Sequence, residues 1–207
     1  MRHRSRHLSA RTGFTLLELL MALTLLSIVV VKARGAMSVV AESTGQQIDE
    51  IVLEDQARRV MRQIGYQVMG SNRETLIPDA EAPYSTEALC FQVNLGIQDG
   101  EVVWSDPEKV AFEDLRGQVY WSQNPGTPEE QRVVWTSLVA PFLEGEFPDG
   151  IDNNGNGLID EKGLSFSVDR NAVTIRLTLE RILSGGETIV STETTTVTCR
   201  NLSEASG

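Results

Sequence analysis

The sequence predicts an α+β protein in which one long N-terminal helix is followed by a mostly antiparallel β-sheet head. Three patterns carry that prediction. Residues 14–31 form an apolar run with a single charge, Glu18. From Leu53 to Val68, apolar residues recur at the three- and four-residue spacing of one helix face. Beyond residue 88, short runs alternate apolar and polar residues between Gly, Pro, Asn and Asp, the period of half-buried strands. The chain has 207 residues, 41% hydrophobic and 23% charged, enough for one globular core with a small appendage.

The first element is a basic segment. Met1–Gly13 holds Arg2, Arg4, Arg6 and Arg11 and no acid, leaving 14 basic residues against 29 acidic ones in the rest of the chain. A net charge of −11 without a clustered basic face excludes nucleic acid as a partner. Both histidines, His3 and His7, lie in this segment, so a chain that loses it has no imidazole for catalysis or metal ligation. The apolar run that follows, at about 1.5 Å per residue, spans roughly 27 Å, the thickness of a bilayer core. Lys32 and Arg34 follow it in place of a small-residue cleavage site, which favours an anchor over an ordinary cleaved signal peptide. The arginines before it predict a cytoplasmic N-terminus. A carboxylate such as Glu18 in this setting costs about 2.5–3.5 kcal/mol, so a partner for it is expected.

The segment Arg11-Thr-Gly-Phe-Thr-Leu-Leu-Glu-Leu-Leu20 resembles the type IV prepilin leader. The resemblance implies cleavage by prepilin peptidase after Gly13 and methylation of the new N-terminus at Phe14. It also implies pairing of Glu18, the fifth residue of the mature chain, with the free α-amino group of a neighbouring subunit, which would offset part of the desolvation of both charges. The domain plan it implies is a leader over 1–13, a transmembrane and assembly helix over 14–34, and an extracytoplasmic head over 35–207. The implied setting is the bacterial inner membrane, crossed once, with other major and minor pilins or pseudopilins and the inner-membrane assembly platform as partners.

Behind the anchor the helix continues from Lys32 to about Gly70 and becomes amphipathic. Leu53, Ala57, Val60, Met61, Ile64 and Val68 form its apolar stripe, with Glu54, Asp55, Arg58, Arg59 and Arg62 between them. Gly35 and Gly45 are points where it can bend, and Gly70-Ser-Asn reads as its stop. A protruding helix ending in a globular head resembles the pilin architecture. Residues 72–87, with Pro78 and Pro83, read as loop. Strands are expected at Ala88–Asn94, Glu101–Trp104, Lys109–Phe112, Gln118–Ser122 and Arg132–Thr136, the last two separated by the turn Gln123–Pro128. Leu164–Val168 and Val173–Leu179 alternate cleanly about the turn Asp169–Ala172 and predict a hairpin, with a final strand over Glu187–Cys199. This tail, ending Val197-Thr-Cys-Arg-Asn201, resembles the J-type minor pseudopilins of type II secretion and the related W-type minor pilins of type IV pili.

Cys90 and Cys199 are the only cysteines, and in an oxidising compartment a bridge between them would contribute up to about 4–5 kcal/mol in the chain-entropy model. Two free buried thiols are the alternative, and the absence of a Cys-x-x-Cys motif argues against thiol chemistry. The segment 149–163 has the oxygen-donor spacing of a calcium loop. With Asp152 first, Asn154 and Asn156 fall third and fifth, Gly157 sixth, the Leu158 carbonyl seventh and Asp160 ninth, with Ile159 as the apolar plug. Hard oxygen donors alternating along a tight loop suit Ca²⁺. The twelfth position, which calls for a bidentate acid, is Gly163, leaving Asp149 and Glu161 as candidate substitutes. A plain Asx-rich turn is the competing reading. The expected function is therefore structural and not enzymatic: a minor pseudopilin of a type II secretion pseudopilus near the filament tip, its head stabilised by Ca²⁺, with a minor pilin of a type IV pilus as the alternative. A calcium-dependent adhesin would need Trp104, Trp121 and Trp135 to form an exposed stacking face, whereas tryptophans at strand positions more often pack inward.

Overall fold

The computed structural model describes residues 15–79, 84–183 and 185–200. The leader, with Gly13 and Phe14, lies outside the described residues. A helix, α1, runs from Leu16 to Met69 over 54 residues, ending one residue before the predicted stop. Its first part, Leu16–Met37, is long and apolar enough to cross a membrane, and its side chains are exposed. The chain divides into two compact units between Gln47 and Ile48.

In the second unit the last five turns of α1 supply one wall of the core. Leu53, Ala57, Val60, Met61, Ile64 and Val68 are all buried, at 6% exposure or less, as the helical spacing requires. They pack into one apolar cluster with Leu89, Phe91, Val110, Val119, Phe166, Ile175, Leu177 and Leu179. Burying a side chain of this size stabilises the fold by about 1.5–3 kcal/mol, which is why the stripe and not helix propensity holds this half of α1 in place.

Among the described residues, nine strands form three antiparallel sheets: β1 Ala88–Phe91, β2 Asn94–Gln98, β3 Glu101–Trp104, β4 Glu108–Glu113, β5 Gln118–Gln123, β6 Gln131–Thr136, β7 Leu164–Asp169, β8 Ala172–Ile182 and β9 Thr188–Thr198. One sheet has the order β1-β4-β5-β6, one is the hairpin β2-β3, and one has the order β7-β8-β9. All neighbours pair antiparallel, and the fold class is the α+β, pilin-like one that the sequence predicts. The strand β2 was not expected. It is paired through the tight turn Asp99-Gly100, whose φ angles of 53° and 89° place both residues in the left-handed region that a two-residue hairpin demands. The predicted hairpin is present as β7–β8, turning through Arg170 and Asn171.

Beyond the shared core, hydrogen bonds and an ion pair join the sheets to each other and to the helix. Thr86 and Phe166 exchange backbone hydrogen bonds of 2.9 and 2.8 Å, tying the entrance of β1 to β7. On the helix, Gln56 donates to the Thr136 hydroxyl at 2.8 Å, and Arg58 pairs with Glu193 on β9 at 3.0 Å. The strands β8 and β9 stay in register over eleven pairs, from Ala172↔Thr198 to Ile182↔Thr188, and β9 forms the edge of its sheet.

Candidate functional site

Two places carry chemistry: the start of α1 and the acidic loop before β7. At the first, Thr15 and Glu18 cap the helix reciprocally. The Thr15 backbone N–H donates to the Glu18 carboxylate at 3.4 Å, and the Glu18 N–H donates to the Thr15 hydroxyl at 3.3 Å. Such a box satisfies two of the free N–H groups at a helix start and places a negative charge at the positive end of the dipole. The acid that the leader places at its fixed spacing from Gly13 therefore also begins the helix.

At the second, the chain after Val139 descends through a turn in which the Glu146 N–H donates to the Leu143 carbonyl at 2.9 Å, and then enters the loop. The Asp160 carboxylate closes the outer arc, accepting the N–H groups of Asp149 and Gly150 at 3.2 and 3.0 Å. Asp152 organises the inner arc. Its Oδ1 accepts from the N–H groups of Gly155 and Asn156 at 2.7 and 3.1 Å, and its Oδ2 from Gly157 at 2.8 Å. The Asn154 side-chain oxygen accepts the Asn156 N–H at 3.1 Å, and that of Asn156 accepts the Leu158 N–H at 2.9 Å. The loop is thus wound by its own side chains at the alternate positions that the spacing singled out. Asp149 belongs to the outer turn, where it accepts from the Ile151 N–H and the Asn153 amide.

One expectation is corrected here. The apolar plug is Leu158, 4% exposed, whereas Ile159 is 58% exposed. Asp160, two residues after the buried leucine, has a φ of 50°, in the left-handed region.

Glu161 and Gly163 explain why the twelfth position departs from the calcium-loop pattern. A Cβ at Gly163 would lie 1.9 Å from the Ala140 carbonyl oxygen, so no side chain fits there. Glu161, 1% exposed, faces inward. It accepts from the Ser165 hydroxyl at 2.7 Å, from Arg176 at 3.4 Å and from the Asn156 amide. It ties the loop to β7 and β8. Sequence reasoning missed Glu146. This residue is 5% exposed, its Oε1 accepts the Asn154 N–H at 3.0 Å, and its Oε2 is buried without a hydrogen-bond partner.

Among the described residues no three His, Cys, Asp or Glu side chains gather into a group that could hold a metal alone. An ion here would draw much of its shell from amide and main-chain oxygens, the donor set of Asn154, Asn156 and Leu158. That set, with an orphaned buried carboxylate oxygen beside it, fits a hard cation.

Cys90 and Cys199 are both free thiols in the structure. Cys199 is buried with its sulfur 3.7 Å from the Ser71 hydroxyl, and burial pushes the Cys90 thiol up, opposed by the charge of Lys109. Trp121 and Trp135 pack against the core, and the Trp121 N–H donates to Glu108 at 2.7 Å. All three tryptophans are half-buried.

Residues 8–31 match the family model of the prokaryotic N-terminal methylation motif. No curated protein and no solved structure matches the chain. The matched stretch covers the end of the basic segment with Arg11 and Gly13, and the whole apolar run 14–31 with Phe14 and Glu18. It implies processing by prepilin peptidase and assembly with other pilins, and the N-terminus is that of a type IV pilin-like or pseudopilin-like precursor.

Proposed function

We propose that this chain is a structural minor subunit of a type II secretion pseudopilus, cut after Gly13, methylated on Phe14 and assembled near the filament tip with other major and minor pseudopilins. The observation that carries the reading is the methylation motif at residues 8–31, which runs into a membrane-length apolar stretch of a helix whose later turns line the core of a β-sheet head. The placement in a secretion pseudopilus rests on the likeness of the β7–β8–β9 tail to J-type minor pseudopilins. Glu18 serves assembly, pairing in the filament with the amino group of a neighbour. The head lies outside the cytoplasm, and the loop 149–163 binds Ca²⁺, which stabilises the entry to β7. The chain is not an enzyme: its functional residues are an anchor, a pairing carboxylate and a structural loop.

Intact mass and N-terminal sequencing of the protein from native membranes test this. A chain beginning at methylated Phe14 is expected, together with co-purification of other pseudopilins. A chain beginning at Met1, or one cut beyond Val31, would overturn the filament reading.

A further inference from the structure

We propose that Glu146 is a calcium ligand, supplying from upstream of the loop the carboxylate that Gly163 cannot supply at its end. The proposal rests on the reading of 149–163 as a calcium loop and adds a residue that the loop's spacing does not contain.

The argument is one of charge and partners. Glu146 is 5% exposed, and one carboxylate oxygen accepts the N–H of Asn154, the loop's third position, at 3.0 Å. The other oxygen is buried and has no partner. A carboxylate taken out of water without compensation is costly, and native structures complete such groups with a protein donor, an ordered water or a bound ion. The surroundings make the deficit worse. Between Glu146 and Glu161 the chain has five acids and no Lys, Arg or His. The nearest cation in sequence, Lys162, is paired with Asp114 at 2.9 Å, and Arg176 is paired with Glu161 at 3.4 Å.

The other candidates for the missing acid are already committed. Glu161 holds Ser165, Arg176 and the Asn156 amide, which makes it the residue that orients Asn156. Asp149 holds the outer turn through Ile151 and Asn153. Glu146 is the acid beside the loop that combines burial with an unpartnered oxygen. A cation bound there would neutralise it and take its remaining ligands from the amide and carbonyl oxygens of the loop. The mixed, largely neutral donor set suits Ca²⁺ over Mg²⁺, which dehydrates reluctantly and demands a stricter octahedron.

The test is calcium titration by calorimetry, with thermal unfolding in the presence and absence of calcium chloride. It uses the full chain in detergent micelles, comparing the unaltered protein with Glu146→Gln and Glu146→Asp. The unaltered chain is expected to bind one Ca²⁺ and to unfold at a higher temperature when loaded. Glu146→Gln is expected to bind at least tenfold more weakly and, without calcium, to unfold at the same temperature or higher, because an unpaired buried charge has been removed. Glu146→Asp, which keeps the charge but draws the carboxylate back, is expected to weaken binding by a similar factor while remaining folded. If both variants bind calcium as the unaltered chain does, Glu146 is not a ligand and the loop reading stands. If Glu146→Gln unfolds earlier without calcium, the carboxylate is only a structural acceptor and the proposal falls. If the unaltered chain shows no binding at millimolar calcium, the loop reading itself fails, and this proposal with it.

Discussion

At position 163 a side chain has no room. The Gly163 carbonyl accepts from Thr178 at 2.8 Å, and the Ala140 carbonyl oxygen stands 1.9 Å from where a Cβ would begin. The obstacle is backbone, which cannot swing aside as a side-chain tip can. Gly163→Ala is therefore expected to destabilise the head by at least about 3 kcal/mol, the upper part of the overpacking range, measured by denaturant unfolding. Added calcium should not restore it, since the clash lies outside the ion's shell. The same residue shows what was legible locally. Asp152, Asn154, Asn156 and Asp160 follow from spacing alone, because a tight loop maps sequence position onto direction. Glu146 does not, since it reaches the site through the Leu143 turn, and its value lies in burial and an empty hydrogen-bond position, neither of which leaves a trace in residue order. The exchange of Ile159 for Leu158 as the buried residue is of the same kind: two adjacent apolar residues do not announce which of them the loop's backbone path turns inward.

Among the elements, α1 and the hairpin β7–β8 were the most legible because each repeats one period many times. The six-residue stripe of α1 is buried throughout, and Ile64 within it has 0% exposure. Ile64→Ala is expected to destabilise the head by about 2–5 kcal/mol, whereas Tyr66→Ala, at a position 73% exposed, should change stability by no more than about 0.5 kcal/mol. Paired thermal and denaturant unfolding would check both. Strand β2 was missed because Asn94-Leu-Gly-Ile-Gln98 is nearly all exposed, so no buried face imposes alternation on it, and Gly96 with a φ of 137° breaks the pairing with a bulge. The informative signal was the Asp99-Gly100 dipeptide between two short apolar runs, a turn that makes a hairpin without help from a core.

For the molecule as a whole, the assembly role proposed for Glu18 would make it the residue that links folding to assembly. In the isolated chain its carboxylate receives the Thr15 N–H and closes the helix start, so it is prepared as an acceptor before any neighbour arrives. Glu18→Ala is expected to leave membrane insertion intact, since removing a charge from an apolar span favours insertion, and to abolish or sharply reduce incorporation into filaments. Fractionation of membranes against sheared filaments separates the two outcomes, and unimpaired incorporation would remove the pairing role. The head brings a different constraint. Strand β9, Thr188-Ile-Val-Ser-Thr-Glu-Thr-Thr-Thr-Val-Thr198, is a proline-free edge strand of β-branched residues with one charge, Glu193, and Arg58 of the helix holds that charge. An uncovered strand of this composition is a template for strand addition by another chain. A subunit whose helix comes away from its sheet is therefore open to self-association, and for any variant weakened along that seam the yield of soluble protein will be set by aggregation before it is set by the unfolding equilibrium.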